Sequence, residues 1–323
     1  MKMKFNALLL SLAAVVAVPL VAATGVGQAP AASYFSSAPH LINPEKAPIY
    51  AATTAGRRIV AVGDYGLINL SDDGKTFRQA KVPTRAPLTS VFFVDEHRGW
   101  AVGHDGTVLG SSDGGENWLV LREMRGQDQV LMSVWFENAE HGLAVGQFGL
   151  ALETHDGGKT WAERSLVAGE AGEGHLLQLV PAGNGVLLVA GEAGSILRSV
   201  DAGAHWVAIQ TDNKGSFWTG AALADGSVLM AGMRGHVYRS VDHGEHWAEV
   251  PSGTQQSLTG ISQRPDGSVR IVGLSGASLL SKDGGQHFSA SLRPDRAGLT
   301  AIAQAAGGDL LFTALGALFR ESF

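Results

Sequence analysis

Apolar residues in this chain fall in short runs separated by polar, glycine-containing breaks. Residues 88–121 show the rhythm: LTSVFFV (88–94), GWAV (99–102), TVLGS (107–111) and WLVL (118–121), parted by DEHR, by a Gly-x-x-Gly pair and by SDGGEN. Runs of this length, rich in β-branched and aromatic residues and bounded by turn residues, predict four short antiparallel strands. After the first segment no stretch sustains a helical period.

The rhythm recurs along the chain. A small hydroxyl residue, an Asp two places on, a Gly two places after that and an aromatic three further are written as LSDDGKTF (70–77), SSDGGENW (111–118), THDGGKTW (154–161), SVDAGAHW (199–206), SVDHGEHW (240–247) and SKDGGQHF (281–288). The closing aromatics, Phe77, Trp118, Trp161, Trp206, Trp247 and Phe288, stand 41, 43, 45, 41 and 41 residues apart. A Gly-x-x-Gly pair precedes each: Gly63/Gly66, Gly103/Gly106, Gly146/Gly149, Gly191/Gly194, Gly232/Gly235 and Gly273/Gly276. A seventh unit, GDLLFTALGALFRES (308–322), has the strand–turn–strand portion and stops before any Asp or aromatic of the box. Four strands per repeat of this period, seven times over, predict an all-β, seven-bladed β-propeller spanning about residues 49–323. A solenoid suits the shortened last repeat less well than a ring does.

Residues 32–48 carry no repeat signature and predict an extended arm. A short strand near residues 39–43 is expected to fill the open edge of the seventh blade and close the ring, since closure hides exposed strand edges. The alternative is a plain linker behind a leader. Residues 1–31 read as that leader: Lys2 and Lys4, then the apolar run ALLLSLAAVVAVPLVAA (7–23), then small residues that fit cleavage near 23 or near 31. An uncleaved anchor is the competing reading of the same run. The expected location is outside the cytoplasm, in a periplasm or, in a phototroph, a thylakoid lumen.

Composition narrows the chemistry. The 43 glycines are accounted for by the turns, and the net charge of −6 argues against a nucleic-acid surface. The absence of Cys excludes disulfides, thiolate metal sites and a Cys nucleophile.

The repeated box has a structural explanation. An Asp in a tight turn accepts backbone N–H groups a few residues on, the hydroxyl ties the turn to the strand before it, the Gly permits positive φ, and the aromatic buries its ring against a neighbouring blade. Asp72, Asp113, Asp156, Asp201, Asp242 and Asp283 are therefore assigned to structure, not to catalysis or metal binding. Six equivalent carboxylates around a rim cannot meet on one substrate. The run Asp72-Asp73-Gly74 lacks calcium-loop spacing. His205, His246 and His287 occupy one repeat position on three different blades, so no metal site and no cofactor is expected from them. His104 beside Asp105 has no nucleophile at a matching position.

This box is the Asp-box, or BNR repeat. The fuller cadence LTSVFFVDEHRGWAVGHDGTVLGSSDGGENW (88–118) closely resembles the photosystem II stability/assembly factor family of BNR propellers, most clearly over residues 88–161 and more loosely over 49–323. The resemblance implies an exported, non-enzymatic assembly or scaffold protein with membrane-protein or exported partners. In a phototroph the implied partner is a newly made photosystem II reaction-centre subunit; elsewhere the chain looks like an accessory protein of another membrane system. Arg57-Arg58 is the one adjacent basic pair after the leader.

The rival class is an Asp-box glycoside hydrolase of the sialidase type. That chemistry needs an arginine grip on the substrate and a Tyr nucleophile with a carboxylate partner. Tyr50, Tyr65 and Tyr238 are the tyrosine candidates of the expected ordered chain, and GRRIV (56–60) lacks the Arg-Ile-Pro element of that family. Asp64, Asp105 and Glu192 are the carboxylates placed to line a channel mouth.

The residues enclosed by each Gly-x-x-Gly vary from blade to blade: Asp64/Tyr65, His104/Asp105, Gln147/Phe148, Glu192/Ala193, Met233/Arg234 and Leu274/Ser275. In a propeller these turns share one face with the loops between blades, including 122–129, 168–175 and 211–216. Loops on a rigid scaffold are where binding concentrates. The predicted partner-binding face is thus Asp64, Tyr65, His104, Asp105, Gln147, Phe148, Glu192, Met233 and Arg234.

Overall fold

The computed structural model describes residues 37–322. The expected leader (1–31) and the start of the arm (32–36) lie outside the described residues. Seven antiparallel sheets follow one another along the chain. Blade 1 is built from Ile49–Ala55, Arg58–Gly63, Ile68–Ser71 and Arg78–Gln79, and blade 2 from Leu88–Phe93, Gly99–Gly103, Val108–Ser111 and Leu119–Arg122. Blades 3 to 6 repeat the order, with innermost strands Leu131–Phe136, Leu176–Pro181, Phe217–Ala222 and Leu258–Gln263. Blade 7 has three strands, Ala301–Ala305, Gly308–Phe312 and Leu318–Glu321. Each innermost strand packs against the next, and that of blade 7 packs against that of blade 1, so the ring is closed.

The second strand of each blade from 2 to 7 is buried along its whole length, as Gly99–Gly103 and Leu187–Gly191 show, and that of blade 1 is buried from Ile59 on. These strands lie between neighbouring blades, which explains their continuous apolar runs. Each box seats a glycine on the blade before it: a Cβ on Gly203 would lie 2.6 Å from Leu143 Cδ1, and one on Gly285 2.9 Å from Leu229 Cδ1. The box tryptophans donate their indole N–H to the glycine carbonyl three residues back, at 2.8–3.0 Å in Trp118, Trp161, Trp206 and Trp247.

A second device ties neighbouring blades. A side chain of one blade donates to a box carbonyl of the next: Arg58 to Gly114, Trp100 to Gly157, Arg164 to Ala204, Arg198 to His243 and Arg239 to Gly284. Across the joint of the ring, Arg320 of blade 7 does the same to Gly74 and Lys75 of blade 1. Blade 7 has no box to receive such a bond from blade 6. At that joint Arg264 and Arg270 pair instead with the fully buried Asp309, at 2.6 and 3.1 Å.

The arm corrects one expectation. No strand forms at residues 39–43; the segment runs to a single turn, Pro44–Lys46, between blades 7 and 1. Pro39, Pro44 and Pro48 lack the N–H groups a paired strand must supply. Side chains satisfy the arm instead: Leu41 N–H donates to Gln79 Oε1 at 3.0 Å, and Gln79 Nε2 donates to the Pro39 carbonyl at 2.7 Å. Closure is carried by blade 1 itself. Ile49 N–H donates to the Thr313 carbonyl at 3.1 Å, and Phe77 meets Phe312 edge-on with centroids 6.3 Å apart.

The first box also differs from its expected form. Asp73, not Asp72, performs the box role. It accepts Lys75 N–H at 2.7 Å and Thr76 N–H at 2.8 Å, while Ser71 Oγ accepts Gly74 N–H at 2.9 Å. This copy is one residue shorter between its hydroxyl and its aromatic, so the Asp two places beyond Ser71 is Asp73. Asp72 faces outward and binds Arg58 and Arg78. In the other five copies the predicted Asp does the work, as Asp113 accepting Asn117 N–H at 3.0 Å and Asp242 accepting His246 N–H at 2.9 Å illustrate.

Candidate protein-docking face

The Gly-x-x-Gly turns of blades 1, 2, 3, 5 and 6 form the same single-turn helix. The two glycines have different reasons to be there. The first is extended in each, with φ between −161° and −177°, which any residue adopts. What requires glycine is space: a Cβ would lie 1.8 Å from the Pro48 carbonyl oxygen at Gly63, 2.0 Å from that of Pro87 at Gly103 and 2.1 Å from that of Val130 at Gly146. The second glycine and the residue before it both have positive φ. Tyr65, Asp105, Phe148, Ala193, Arg234 and Ser275 thus sit at φ 49–56°, held there by the turn.

These turns do share a face with the inter-blade loops. Gly106 N–H donates to the Gln129 carbonyl, Gly149 N–H to that of Gly174, and Gly194 N–H to that of Gly215. The boxes lie on the opposite face, where Gly114 N–H donates to the His97 carbonyl and Gly157 N–H to that of Glu140, both in first-to-second-strand turns. Tyr65 is 54% exposed, Phe148 77% and Leu274 39%; in blade 7 the corresponding turn presents Leu315. Phe148 is braced by His175, whose ring lies edge-on at 4.6 Å and whose Nδ1 accepts the Phe148 N–H. His104 and Arg234 are exposed; Asp64, Asp105, Gln147, Glu192 and Met233 are half-buried.

An inner ring on the same face was not legible as a site in the sequence. Six innermost strands carry a register shift at their second residue, as between Ile49 and Ala51, Leu88 and Ser90, and Phe217 and Thr219. A bulge re-aims the side chain it carries. The residues so displaced, Tyr50, Thr89, Met132, Leu177, Trp218 and Thr259, line the central channel, whose cavity is about 230 Å³. The signal available was positional: each follows a fully buried strand-initiating residue such as Leu131, Phe217 or Leu258. Burial raises the pKa of the Tyr50 phenol, and the nearby Asp64 carboxylate and Tyr65 add to the shift, so inner and outer rings adjoin.

Two clefts flank this face. One of about 850 Å³ lies beside Arg234, His236, Glu249 and the loop of residues 252–255. Another, of about 400 Å³, is walled by Glu170, His175, Glu192 and Gln210.

The residues weighed for glycoside hydrolysis are dispersed. Asp64, Asp105 and Glu192 belong to blades 1, 2 and 4, and none lines the channel. Glu192 Oε2 accepts His175 N–H at 2.8 Å, which ties this carboxylate to loop architecture. Tyr238 is buried and donates its hydroxyl to Asp212 at 2.6 Å; burial and that bond raise its pKa well above the ordinary phenol range.

The family model for photosynthesis system II assembly factor YCF48 matches residues 122–269. Over those residues, less than half of its length, the chain resembles that family. Among solved structures it is similar to YCF48 bound to D1 peptide, with 19% identity, TM-score 0.70, 89% of this chain and 96% of that one covered. YCF48 from Cyanidioschyzon merolae is similar at 16% identity and TM-score 0.68, over 88% of this chain and 97% of that one. Virginiamycin B lyase from Staphylococcus aureus shares the propeller at 10% identity and TM-score 0.74, over 89% of this chain and 98% of that one. At these identities the structural likenesses speak for the fold alone. No curated protein matches the chain significantly by sequence.

Within blade 3 of this propeller, His141, Glu153 and His155 come together, with one ligand atom from each lying within 4.8 Å of the others. The expectation of no metal site rests on histidines that recur between repeats, such as His205, His246 and His287. These three lie within one repeat, just before the second strand, on the third and just beyond it, so the relevant spacing is across a hairpin.

Proposed function

We propose that this protein is an exported, non-catalytic assembly or scaffold factor that holds a short segment of a membrane or exported protein on its turn-and-loop face. The observation that carries the reading is the concentric arrangement of Tyr65, Phe148, Leu274 and Leu315 around Tyr50, Met132, Leu177 and Trp218 on one face. Aromatic, Met and aliphatic side chains on a rigid frame have the composition of binding hot spots. His104, Glu192 and Arg234 supply polar positions between them. The match to the assembly factor family and the likeness to YCF48 bound to D1 peptide support a protein partner. In a phototroph that partner would be a photosystem II reaction-centre subunit; otherwise it belongs to another membrane system.

Capture from the native membrane tests this reading. The wild-type chain should retain a defined partner, Tyr65→Ala/Phe148→Ala should lose it, and Lys159→Glu on the box face should keep it. Loss with Lys159→Glu and retention by a folded Tyr65→Ala/Phe148→Ala protein would move the site to the opposite face. Turnover of sialosides or aryl-glycosides abolished by Asp64→Asn, Asp105→Asn or Glu192→Gln would replace the reading with a glycosidase.

A further inference from the structure

Blade 3 departs from its neighbours at three positions that the fold does not require to be polar. His141 precedes the second strand, Gly142–Gly146; Glu153 lies on the third, Ala151–Thr154; His155 follows within the box. The register pairs Gly142 with Thr154 and Leu143 with Glu153. By the same register, blade 2 has Arg98, Gly110 and Ser112 there, and blade 5 has Ser227, Arg239 and Val241. Neither reproduces the His/Glu/His set.

The geometry of the three is that of a ligand set. His141 Nε2 lies 2.9 Å from Glu153 Oε1, and His155 Nε2 lies 3.7 Å from the same oxygen. The two imidazoles are parallel, 3° from coplanar orientation, with centroids 4.8 Å apart. A neutral imidazole nitrogen without its hydrogen and a carboxylate oxygen both accept, so what stands between them must be a proton or a cation. The surrounding groups fix the arrangement. His141 Nδ1 lies 3.0 Å from Glu137 Oε2, and Arg164 donates to Glu153 Oε2 at 2.8 Å, which leaves Oε1 turned to the histidines. A carboxylate on the far nitrogen of a ligating histidine is the usual support of a metal-bound imidazole.

We propose that His141 Nε2, Glu153 Oε1 and His155 Nε2 form a binding site for a divalent transition metal, of which Zn²⁺ is the best match. Two imidazoles and one carboxylate are zinc ligands, and Zn–N and Zn–O bonds of about 2.0–2.2 Å put ligand atoms about 3.3 Å apart in a tetrahedron. The distances of 2.9 and 3.7 Å to Glu153 Oε1 bracket that spacing, and all three ligand atoms lie within 4.8 Å of one another. His155 is the exposed member and leaves the fourth position open to water. The oxygen-seeking cations Mg²⁺ and Ca²⁺ suit this set poorly. Bound metal would pin the first turn of blade 3 to its box, on the face opposite the docking surface. The site stands whether or not the partner reading does.

Titration of the untagged, chelator-treated full chain with Zn²⁺ alone, followed by calorimetry, tests the site. One Zn²⁺ should bind per chain, with an affinity on the order of micromolar or tighter. His155→Ala, at an exposed position where the fold is not at stake, should weaken binding at least about tenfold. Glu137→Gln touches no metal and should still weaken it about tenfold or more by releasing the His141 ring. His205→Ala, an exposed box histidine of blade 4, should leave binding unchanged. Absence of stoichiometric binding, equal binding by His155→Ala, or an equal loss with His205→Ala would each overturn the proposal; the last two would mean scattered surface imidazoles, and the first a purely protonic cluster.

Discussion

The hydroxyl of Thr300 lies 2.6 Å from the carbonyl oxygen of Ile49, across the joint where the last blade meets the first. The contact belongs to a belt of polar side chains joining innermost strands. Thr89 reaches the Leu131 carbonyl, Thr259 donates to that of Leu299 at 2.9 Å, and Leu179 N–H donates to Ser133 Oγ at 3.0 Å. Within this belt the bond at Thr300 spans the joint, beside the bond from Ile49 N–H to the Thr313 carbonyl. Thr300→Val keeps the shape and strands the Ile49 carbonyl, so stability should fall by about 1–2 kcal/mol. Chemical denaturation should show a lower midpoint than for Ser291→Ala, a substitution within blade 6. Equal midpoints for the two variants would deny the closure bond any special weight.

The boxes make a prediction about acid. Thr160, through its hydroxyl and its N–H, holds the Asp156 carboxyl at about 2, below its ordinary 3.8. The N–H groups of Thr76 and Lys75 do the same for Asp73, also to about 2. A carboxyl whose folded pKa is depressed contributes stability above its unfolded pKa, and that contribution is lost as pH falls through the folded value. The melting temperature should therefore drop between about pH 4 and pH 2, and Asp73→Asn/Asp156→Asn should flatten that drop while lowering the plateau near neutrality. Asp72→Asn, which loses only outward arginine pairs, should change the plateau less than Asp73→Asn. The reverse order would restore Asp72 to the box.

Steric and conformational uses of glycine separate cleanly at the first position of the Gly-x-x-Gly turn. A Cβ at Gly103 would lie 2.0 Å from the backbone oxygen of Pro87, which has no freedom to retreat. Gly191, in the blade whose turn departs from the others, would place its Cβ 3.1 Å from the Ser195 oxygen. Gly103→Ala should cost about 3 kcal/mol or more, and Gly191→Ala about 1 kcal/mol or less. Similar losses at the two positions would show that the carbonyl approach is not what selects glycine.

The seven-blade ring, the face shared by turns and inter-blade loops, and five of the six boxes were readable because each follows from a repeat that the chain states several times. What escaped was written once or depended on one residue of register. The first box lost a residue, and only the hydrogen bonds of Ser71 show that Asp73 replaces Asp72. The prolines of the arm ruled out a strand, but the partner that satisfies its backbone, Gln79, lies about forty residues on. The channel-lining residues owe their direction to a bulge, and a one-residue shift is invisible in a hydrophobic pattern that still alternates. The blade 3 cluster needed the pairing of Leu143 with Glu153 before His141 and His155 could be seen as neighbours.

That bulge sets up a separation between folding and binding at two consecutive residues. Phe217 begins the innermost strand of blade 5, is fully buried, and meets Tyr238 edge-on with centroids 5.3 Å apart. Trp218, the displaced next residue, lines the channel mouth and is half-buried. Phe217→Ala removes a ring from a closed core and should cost about 3–5 kcal/mol of stability. Trp218→Ala removes a ring from a surface that faces the channel and should cost about 1 kcal/mol or less. If the inner ring anchors the partner, Trp218→Ala should weaken capture about thirtyfold, the size of a hot-spot truncation of about 2 kcal/mol. Affinity would be read with whichever partner segment the membrane capture yields. A Trp218→Ala protein that melts like wild type and binds like wild type would confine the docking surface to the outer turns around Tyr65 and Phe148.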